Sequence, residues 1–290
     1  MLPSSPASTS RPTGMPDLPG GGKTPPFIDG HTHLDHNDAA VADQLRRARL
    51  AGVEWVIQSG TDVVSSRRAV ALARAHPEVF ATVGIHPHEA GEAPAGTVGQ
   101  LRELVAEPKV VAVGETGLDF YRNRAPREAQ EAVFVEQMAL ARELSLPVVI
   151  HTRDADRRSI PLLREHAAGL TVVLHCFSLP DRVQELVELG WYLSFAGNVT
   201  YKTSEPLRKA LRAVPDHLLL LETDAPYLTP EPHRGHPNEP ALVVHTYQRV
   251  AQERGLAVEE LAQKVRANVL VAYPRLRAWS SGAEGDGEPA

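Results

Sequence analysis

The sequence predicts an α/β protein, a single (β/α)8 barrel over residues 27–276. Three observations lead to this fold. The stretch has the length of one such barrel, short apolar runs alternate along it with longer amphipathic segments, and the apolar runs number eight. A doubly wound open sheet is the alternative, because periodicity alone does not show whether a sheet closes.

The eight apolar runs are the predicted strands. They are nearly continuous in apolar residues, which is typical of strands buried on both faces of a parallel sheet. Their first residues lie 22 to 37 positions apart, so each gap has room for a helix and two turns. The runs are 27–29, 53–57, 80–85, 110–113, 147–150, 170–174, 192–195 and 218–221.

The segments between these runs have helical periodicity. Apolar residues recur three or four positions apart, so one face of each helix can pack against the sheet. Gly190 follows one such segment and is a predicted C-terminal cap. The periodic positions include Phe134, Met138, Ala141 and Leu144, then Val183, Leu186 and Val187, and finally Leu261, Val265 and Val269.

The two ends of the chain differ from this region in composition. Residues 1–26 contain seven Pro, four Gly and four Ser and have little to bury, so we expect a disordered tail. Met15 is an alternative start to Met1, which would shorten this tail. Residues 277–290 are mostly small or acidic, and we expect a second disordered tail there.

Charge and cysteine content exclude several classes of protein. The formal net charge of −6 argues against a surface built entirely to clamp nucleic acid, although it allows a local cationic rim. The single cysteine, Cys176, excludes an intramolecular disulfide and is compatible with a reducing compartment. No apolar run approaches the ~18–20 residues that cross a bilayer. We therefore expect a cytoplasmic protein with no membrane partner.

Residues that can bind metals follow five of the predicted strands. In a parallel barrel the C-terminal ends of the strands meet on one face, here called the mouth, where barrel enzymes build their sites. His31 and His33 are two positions apart, so both can point at one ion. Four imidazoles and two carboxylates suit two divalent ions roughly 3.5–4 Å apart, with one carboxylate bridging. The candidate ligands are His31, His33, Glu115, His151, His175 and Asp224.

Six segments of the sequence resemble the TatD-type metal-dependent deoxyribonucleases. The first reads Phe-Ile-Asp-Gly-His-Thr-His-Leu-Asp, and a later one reads Leu-Glu-Thr-Asp-Ala-Pro-Tyr-Leu. The segments occur in the order of the family, and the likeness extends over residues 27–276. They are 27–35, 83–88, 113–121, 150–153, 174–178 and 221–228.

The resemblance implies a (β/α)8 barrel of the amidohydrolase type with two metal ions. By the family's pattern, one ion is held by His31, His33 and Asp224. The other is held by His151 and His175, and Glu115 stands between the two. The family hydrolyses phosphodiester bonds in DNA, often as a 3′→5′ exonuclease, with Mg²⁺ or another divalent ion. Four imidazoles suit Zn²⁺ or Mn²⁺ better than Mg²⁺.

These residues lead to a hypothesis for the mechanism. Two metals would lower the pKa of a bound water, and the resulting hydroxide would attack phosphorus in line. Asp224 would accept the proton as general base, and a 5′-mononucleotide would be released. His86, after the third strand, could donate a hydrogen bond to a phosphate oxygen or position the leaving group.

A polyanionic substrate needs cations around the mouth. We expect DNA, single-stranded or at 3′ ends, as the partner of a monomer, with arginine binding phosphate and tyrosine stacking on bases. The family's late loop often reads Arg-Gly-Lys-Arg-Asn-Glu-Pro, whereas residues 234–240 read Arg-Gly-His-Pro-Asn-Glu-Pro, which weakens the phosphate contact expected of this loop. The candidate substrate contacts are Tyr121, Arg122, Arg153, Lys202 and Arg234, with Arg124 and Tyr227 nearby.

A second reading of the same residues remains open. Hydroxide at two metals attacks carbonyl carbon as readily as phosphorus, so the ligands also fit a hydrolase of a lactone, an amide or an aminoacyl-tRNA ester. A non-catalytic binding module is a third reading. Glu222 is expected to support the site through a hydrogen bond to a ligand. Asp35, His36, His88 and His233 lie near the predicted mouth without an assigned role.

Overall fold

A computed structural model of the chain describes residues 26–93 and 96–280, and in it eight parallel strands form a nearly closed barrel. The strands lie in chain order, and each pairs with the next, so the predicted barrel is confirmed. They are β1 (Phe27–Thr32), β2 (Val53–Ser59), β3 (Val79–Val83), β4 (Val110–Asp119), β5 (Val148–Arg153), β6 (Val172–Leu174), β7 (Tyr192–Phe195) and β8 (Leu219–Leu221).

Helices alternate with these strands. Most of them return the chain from the mouth to the opposite face of the barrel, as parallel pairing requires. In the described part of the chain they are α1 (Val41–Leu50), α2 (Val63–Ala75), α3 (Thr97–Val105), α4 (Arg127–Glu143), α5 (Asp156–His166), α6 (Val183–Glu188), α7 (Glu205–Ala213), α8 (Val243–Arg254), α9 (Val258–Ala272) and α10 (Arg277–Ser280). None of the described helices is both long and apolar enough to span a bilayer.

Four strands extend beyond the apolar runs that predict them. β1 continues to Thr32, β2 to Ser59, β4 to Asp119 and β5 to Arg153. His31, Glu115 and His151 therefore lie inside strands, whereas the sequence analysis placed them after strand ends. The reason is that polar residues near the mouth are still paired with the neighbouring strand. Gly117, for example, pairs with His151.

The seam between β1 and β8 closes the barrel. Thr32 and Ala225 form a parallel bridge, His33 N donates to Ala225 O at 2.7 Å, and Asp224 N donates to His31 O at 3.0 Å. The buried Asp29 carboxylate accepts bonds from Thr223 N at 2.8 Å and from Thr223 Oγ1 at 2.6 Å. These bonds join the first and last strands of the sheet. They exclude the doubly wound alternative, in which the sheet stays open.

The last described helix covers residues that the sequence analysis assigned to the C-terminal tail. Residues 277–280 form α10, in which the Trp279 ring packs edge-on against Phe80 with centroids 6.1 Å apart. Lys109 Nζ lies 5.5 Å from the same indole ring. These contacts explain why the chain is ordered past residue 276. Residues 1–25 of the predicted N-terminal tail, and 281–290 of the C-terminal one, lie outside the described part.

Gly117 shows why glycine flanks the glutamate of β4. Its φ is +139°, and a Cβ at this position would lie 1.9 Å from His151 O on the neighbouring strand. No side chain fits there without moving β5 away from β4. Gly99 is a useful contrast, because it lies in α3 and a Cβ added to it would meet no atom within 4 Å.

We predict opposite effects when alanine replaces these two glycines. Gly117→Ala should lower the free energy of unfolding by at least about 1–3 kcal/mol, because backbone strain adds to the clash. Gly99→Ala should raise it by about 0.5–1 kcal/mol, since alanine favours the helix. Urea unfolding followed by circular dichroism measures both. Equal stability of the Gly117→Ala protein and the unsubstituted protein would contradict the close strand contact.

Candidate metal centre

The Glu115 carboxylate lies at the centre of the mouth. His31 Nε2 and His33 Nε2 are each 3.4 Å from its Oε2. Its other oxygen, Oε1, lies 2.9 Å from His175 Nε2 and 3.0 Å from His151 Nδ1. The two oxygens of one buried carboxylate therefore face two different pairs of histidines.

His31 and His33 converge with Asp224 beside one of these oxygens. The Nε2 atoms of the two histidines are 3.3 Å apart, with His31 inside β1 and His33 one residue past its end. His33 Nε2 lies 3.7 Å from Asp224 Oδ1. One ligand atom from each of the three side chains lies within 4.8 Å of the others, so together they could hold an ion.

His151 and His175 converge on the other oxygen of Glu115. His151 Nδ1 and His175 Nε2 are 3.3 Å apart, and the His175 ring stacks on the His31 ring at 4.0 Å. The structure thus brings all six predicted ligands together. Two further groupings of three could also hold an ion: His86 with Glu115 and His151, and His31 with His175 and Glu222.

The histidines stabilise the charged form of Glu115. Burial opposes ionisation, but the charge on His175 and hydrogen bonds from His151 and His175 lower the pKa of Glu115 well below its usual value. Asp224 differs. Burial raises its pKa to about 6, although the nearby His175 and His33 act to lower it. The centre therefore contains one strongly acidic carboxylate and one carboxylate that takes up a proton more readily.

His86 is held as a neutral hydrogen-bond donor. Its Nδ1 accepts a bond from the backbone N of His88 at 3.0 Å, which leaves the proton on Nε2. That atom lies 3.4 Å from Glu115 Oε1. Burial lowers the pKa of His86 to about 3, so the ring stays neutral near pH 7. A neutral imidazole in this place can donate to an oxygen bound at the mouth.

Asp119 belongs to the site and is absent from the sequence-based set. Its Oδ2 lies 2.9 Å from His88 Nε2 and 3.4 Å from His151 Nε2, and its Oδ1 accepts from Arg122 N at 2.7 Å. This carboxylate thus contacts the far side of a candidate ligand and the loop that carries Arg122. The period of β4 could have revealed it, because positions 115, 117 and 119 share one face of the strand.

Glu222 supports His175 as expected. Its Oε1 lies 3.3 Å from His175 Nδ1 and accepts from Cys176 N at 2.7 Å. Such a carboxylate orients the imidazole and leaves Nε2 free for an ion.

The remaining unassigned residues have structural contacts. Asp35 pairs with Arg68 at 2.8 Å, the His36 ring stacks on His33 at 4.9 Å, and His233 Nε2 lies 3.1 Å from His245 Nε2.

The predicted substrate contacts divide into two groups. Tyr121 is exposed, and its ring lies 4.1 Å from Arg153 Cζ and 5.7 Å from Arg122 Cζ. Arg234 packs its guanidinium over the Tyr201 ring at 3.7 Å, in the same part of the mouth as the exposed Lys202. The first group follows β4 and β5, and the second follows β7 and β8.

Comparison with known proteins confirms the resemblance indicated by the motifs. A family model described as TatD related DNase matches residues 28–274. A metal-dependent hydrolase TatD from Mycobacterium tuberculosis is 40% identical over 257 residues, which cover 85% of this chain and 97% of that protein. A 3′-5′ ssDNA/RNA exonuclease TatD from Escherichia fergusonii is 42% identical over 238 residues, covering 80% and 92%. The crystal structure of YjjV, a TatD homologue from Escherichia coli, is 31% identical with a TM-score of 0.81, covering 86% of this chain and 98% of that one.

We predict that Asp119→Asn weakens metal binding. The amide has one acceptor oxygen, so it cannot accept from Arg122 N on one side and from His88 and His151 on the other, and His151 is held less firmly. A change of this kind typically lowers metal affinity about 10–100-fold. Calorimetric titration of chelator-treated protein with Zn²⁺ or Mn²⁺ measures the affinity. Asp35→Asn is the matched control, because Asp35 is also partly buried near the mouth but pairs with Arg68. Equal metal affinity of the two variants would refute the role of Asp119.

Proposed function

The chain belongs to the family of TatD-related DNases, which makes it a metal-dependent hydrolase, and we propose that it acts as a 3′→5′ exonuclease on single-stranded DNA and releases 5′-mononucleotides. The position of Glu115 carries this proposal, since its two oxygens face two separate pairs of histidines at one barrel mouth. The relative from Escherichia fergusonii, named as an exonuclease of ssDNA and RNA, supports the substrate class.

The donor set fits two divalent ions. His31, His33 and Asp224 would hold one, His151 and His175 the other, with Glu115 shared between them. Nitrogen and carboxylate oxygen together suit Zn²⁺ or Mn²⁺. When bound, the ions would supply Lewis acidity that activates water and neutralises charge on a phosphate.

The side chains around this centre supply a proton acceptor, a hydrogen-bond donor and contacts to the substrate. Asp224 accepts the proton of the attacking water, because its Oδ1 lies at the centre, 3.7 Å from His33 Nε2. His86 donates a hydrogen bond from its Nε2–H to a phosphate oxygen. Arg122 and Arg153 bind phosphate, and Tyr121 between them offers a face on which a base can stack. The 3′ oxygen of the neighbouring nucleotide leaves.

A carbonyl hydrolase is the alternative on the same ligands. The exposed arginines beside Tyr121 favour a phosphate substrate, because a carbonyl substrate calls for a closed apolar pocket instead. The cytoplasmic location and the monomeric state expected from the sequence stay predictions.

We predict that Glu115→Gln and Asp224→Asn each abolish cleavage while leaving the fold intact. Purified protein is incubated with a 5′-labelled single-stranded oligonucleotide and Mn²⁺, Zn²⁺ or Mg²⁺, with a chelator control. A ladder shortened from the 3′ end that disappears with chelator is expected, and circular dichroism reports the fold of the variants. Full turnover in either variant would refute the assigned roles. Cleavage of lactones or aminoacyl esters without cleavage of DNA would favour the alternative.

The variant His86→Gln tests whether His86 donates a hydrogen bond to the substrate or binds a metal ion. We expect kcat to fall about 10²-fold, the usual loss when one donor to a developing charge is removed. Metal affinity should stay within about twofold, because His86 is assigned to substrate. A large loss of metal affinity would instead make His86 a ligand in the group with Glu115 and His151.

A further inference from the structure

Most arginines in the described part of the chain donate to a carboxylate or to a backbone carbonyl. Arg47 pairs with Glu239, Arg158 with Glu131, and Arg275 Nη1 donates to Val105 O. Seven others form no hydrogen bond or ion pair through the guanidinium with any described residue. These are Arg67, Arg122, Arg124, Arg127, Arg153, Arg157 and Arg234.

Five of these seven arginines lie on the segments that follow or end β4 and β5, the strand ends at the mouth. Arg122 and Arg124 are on the loop after β4, Arg127 begins α4, Arg153 ends β5, and Arg157 lies in the first turn of α5. All five are exposed. We call them the arginine sector. Like charges gathered without acidic partners repel one another, so the arrangement favours a polyanionic ligand.

Aromatic rings are interleaved with these cations. Asp119 of β4 pairs with Arg153 of β5, and Phe120 N donates to Arg153 O at 2.9 Å, which brings the two strand ends together. Tyr121 lies between Arg153 and Arg122, and Arg127 Cζ lies 4.2 Å from the Phe120 ring. Cations that follow a backbone beside exposed rings are the usual means of binding single-stranded nucleic acid.

The opposite side of the mouth has fewer available cations among the described residues. On that side Arg68 pairs with Asp35 at 2.8 Å, and Arg47 donates to Glu239 at 2.8 Å. Arg234, over the Tyr201 ring, and the exposed Lys202 stay available there. Positions 236 and 237 are His and Pro. A phosphate backbone therefore meets more available cations over β4 and β5 than over β7 and β8.

We propose that the arginine sector binds the strand 5′ of the nucleotide being removed, so that single-stranded nucleic acid reaches the metal centre across the ends of β4 and β5. This inference rests on the proposed exonuclease function. His151 is two residues from Arg153 on the same strand, so the sector begins next to the candidate centre. Arg127 and Arg157 are its outer members and contact phosphates furthest from the cleaved bond.

The double variant Arg127→Gln/Arg157→Gln tests the path. Binding is measured by fluorescence anisotropy of a 5′-fluorescein phosphorothioate oligonucleotide of about 12 residues, which resists cleavage, on Mn²⁺-loaded protein. The affinity ratio between this strand and a dinucleotide should fall about tenfold. The slope of log affinity against log salt should become shallower by about 1.4, which corresponds to two lost phosphate contacts on a single strand.

Arg67→Gln/Lys209→Gln is the matched control, because both side chains are exposed cations outside the sector and the net charge changes equally. Its affinity ratio should stay unchanged. Equal losses in the two double variants, or no loss in either, would overturn the proposed path. A separate result would refute the proposed function but not the path. In that case the unsubstituted protein cleaves no nucleic acid with any of the metals, and the Arg127→Gln/Arg157→Gln protein still binds the oligonucleotide more weakly.

Discussion

The buried Glu115 carboxylate is the interaction on which the rest of the site depends. A charge removed from water is costly unless opposite charge or hydrogen-bond donors replace the lost solvent. Here imidazoles do so on both oxygens, and each imidazole is in turn held by another group: His175 by Glu222, His151 by Asp119 and His31 by Ser59. These contacts fix the orientation of the rings, so that a particular nitrogen of each ligand faces the centre.

The pattern of the sequence was enough to predict the barrel and the position of its site. Eight apolar runs specify strands buried on both faces, and the barrel geometry then places whatever follows them at one mouth. The histidine pair of β1 and the glutamate of β4 could be found in this way because their signals are local. Strand ends were less predictable, since β4 and β5 continue through polar residues that are paired in the sheet although they are not apolar.

Contacts between distant segments could not be predicted in the same way. Asp119 has the correct period for the mouth, but its contact with His88 depends on how the turn after β3 packs against β4. An arginine in the sequence likewise does not reveal whether a carboxylate will lie beside it. Arg68 lies in α2 and Arg153 ends β5, yet only Arg68 has an acidic partner, because Asp35 reaches it from the turn after β1. Whether an arginine is paired or available therefore depends on the folded structure and not on the local sequence.

The seam of the barrel shows the physical cost of building a site where the sheet closes. β8 has three residues, and its contact with β1 is a single bridge beyond the end of the strand, so several backbone groups there lack a ladder partner. Side chains supply the missing hydrogen-bond partners. The Tyr247 hydroxyl bonds both the N and the O of Ile28, and Asp29 takes the N of Thr223. Asn238 donates to Thr223 O at 2.9 Å, and Asn268 donates to Leu219 O at 2.8 Å.

These side-chain bonds also hold part of the loop that follows β8. The Asn238 amide satisfies carbonyls on either side of Asp224, those of Thr223 and Tyr227. An unpaired buried carbonyl costs roughly 1–3 kcal/mol, so this residue is constrained by the seam whatever the substrate. Positions 236 and 237 of the same loop are exposed and are His and Pro. The residue types at these two positions can therefore vary without disturbing the contacts beside Asp224, and phosphate binding can depend on the other side of the mouth.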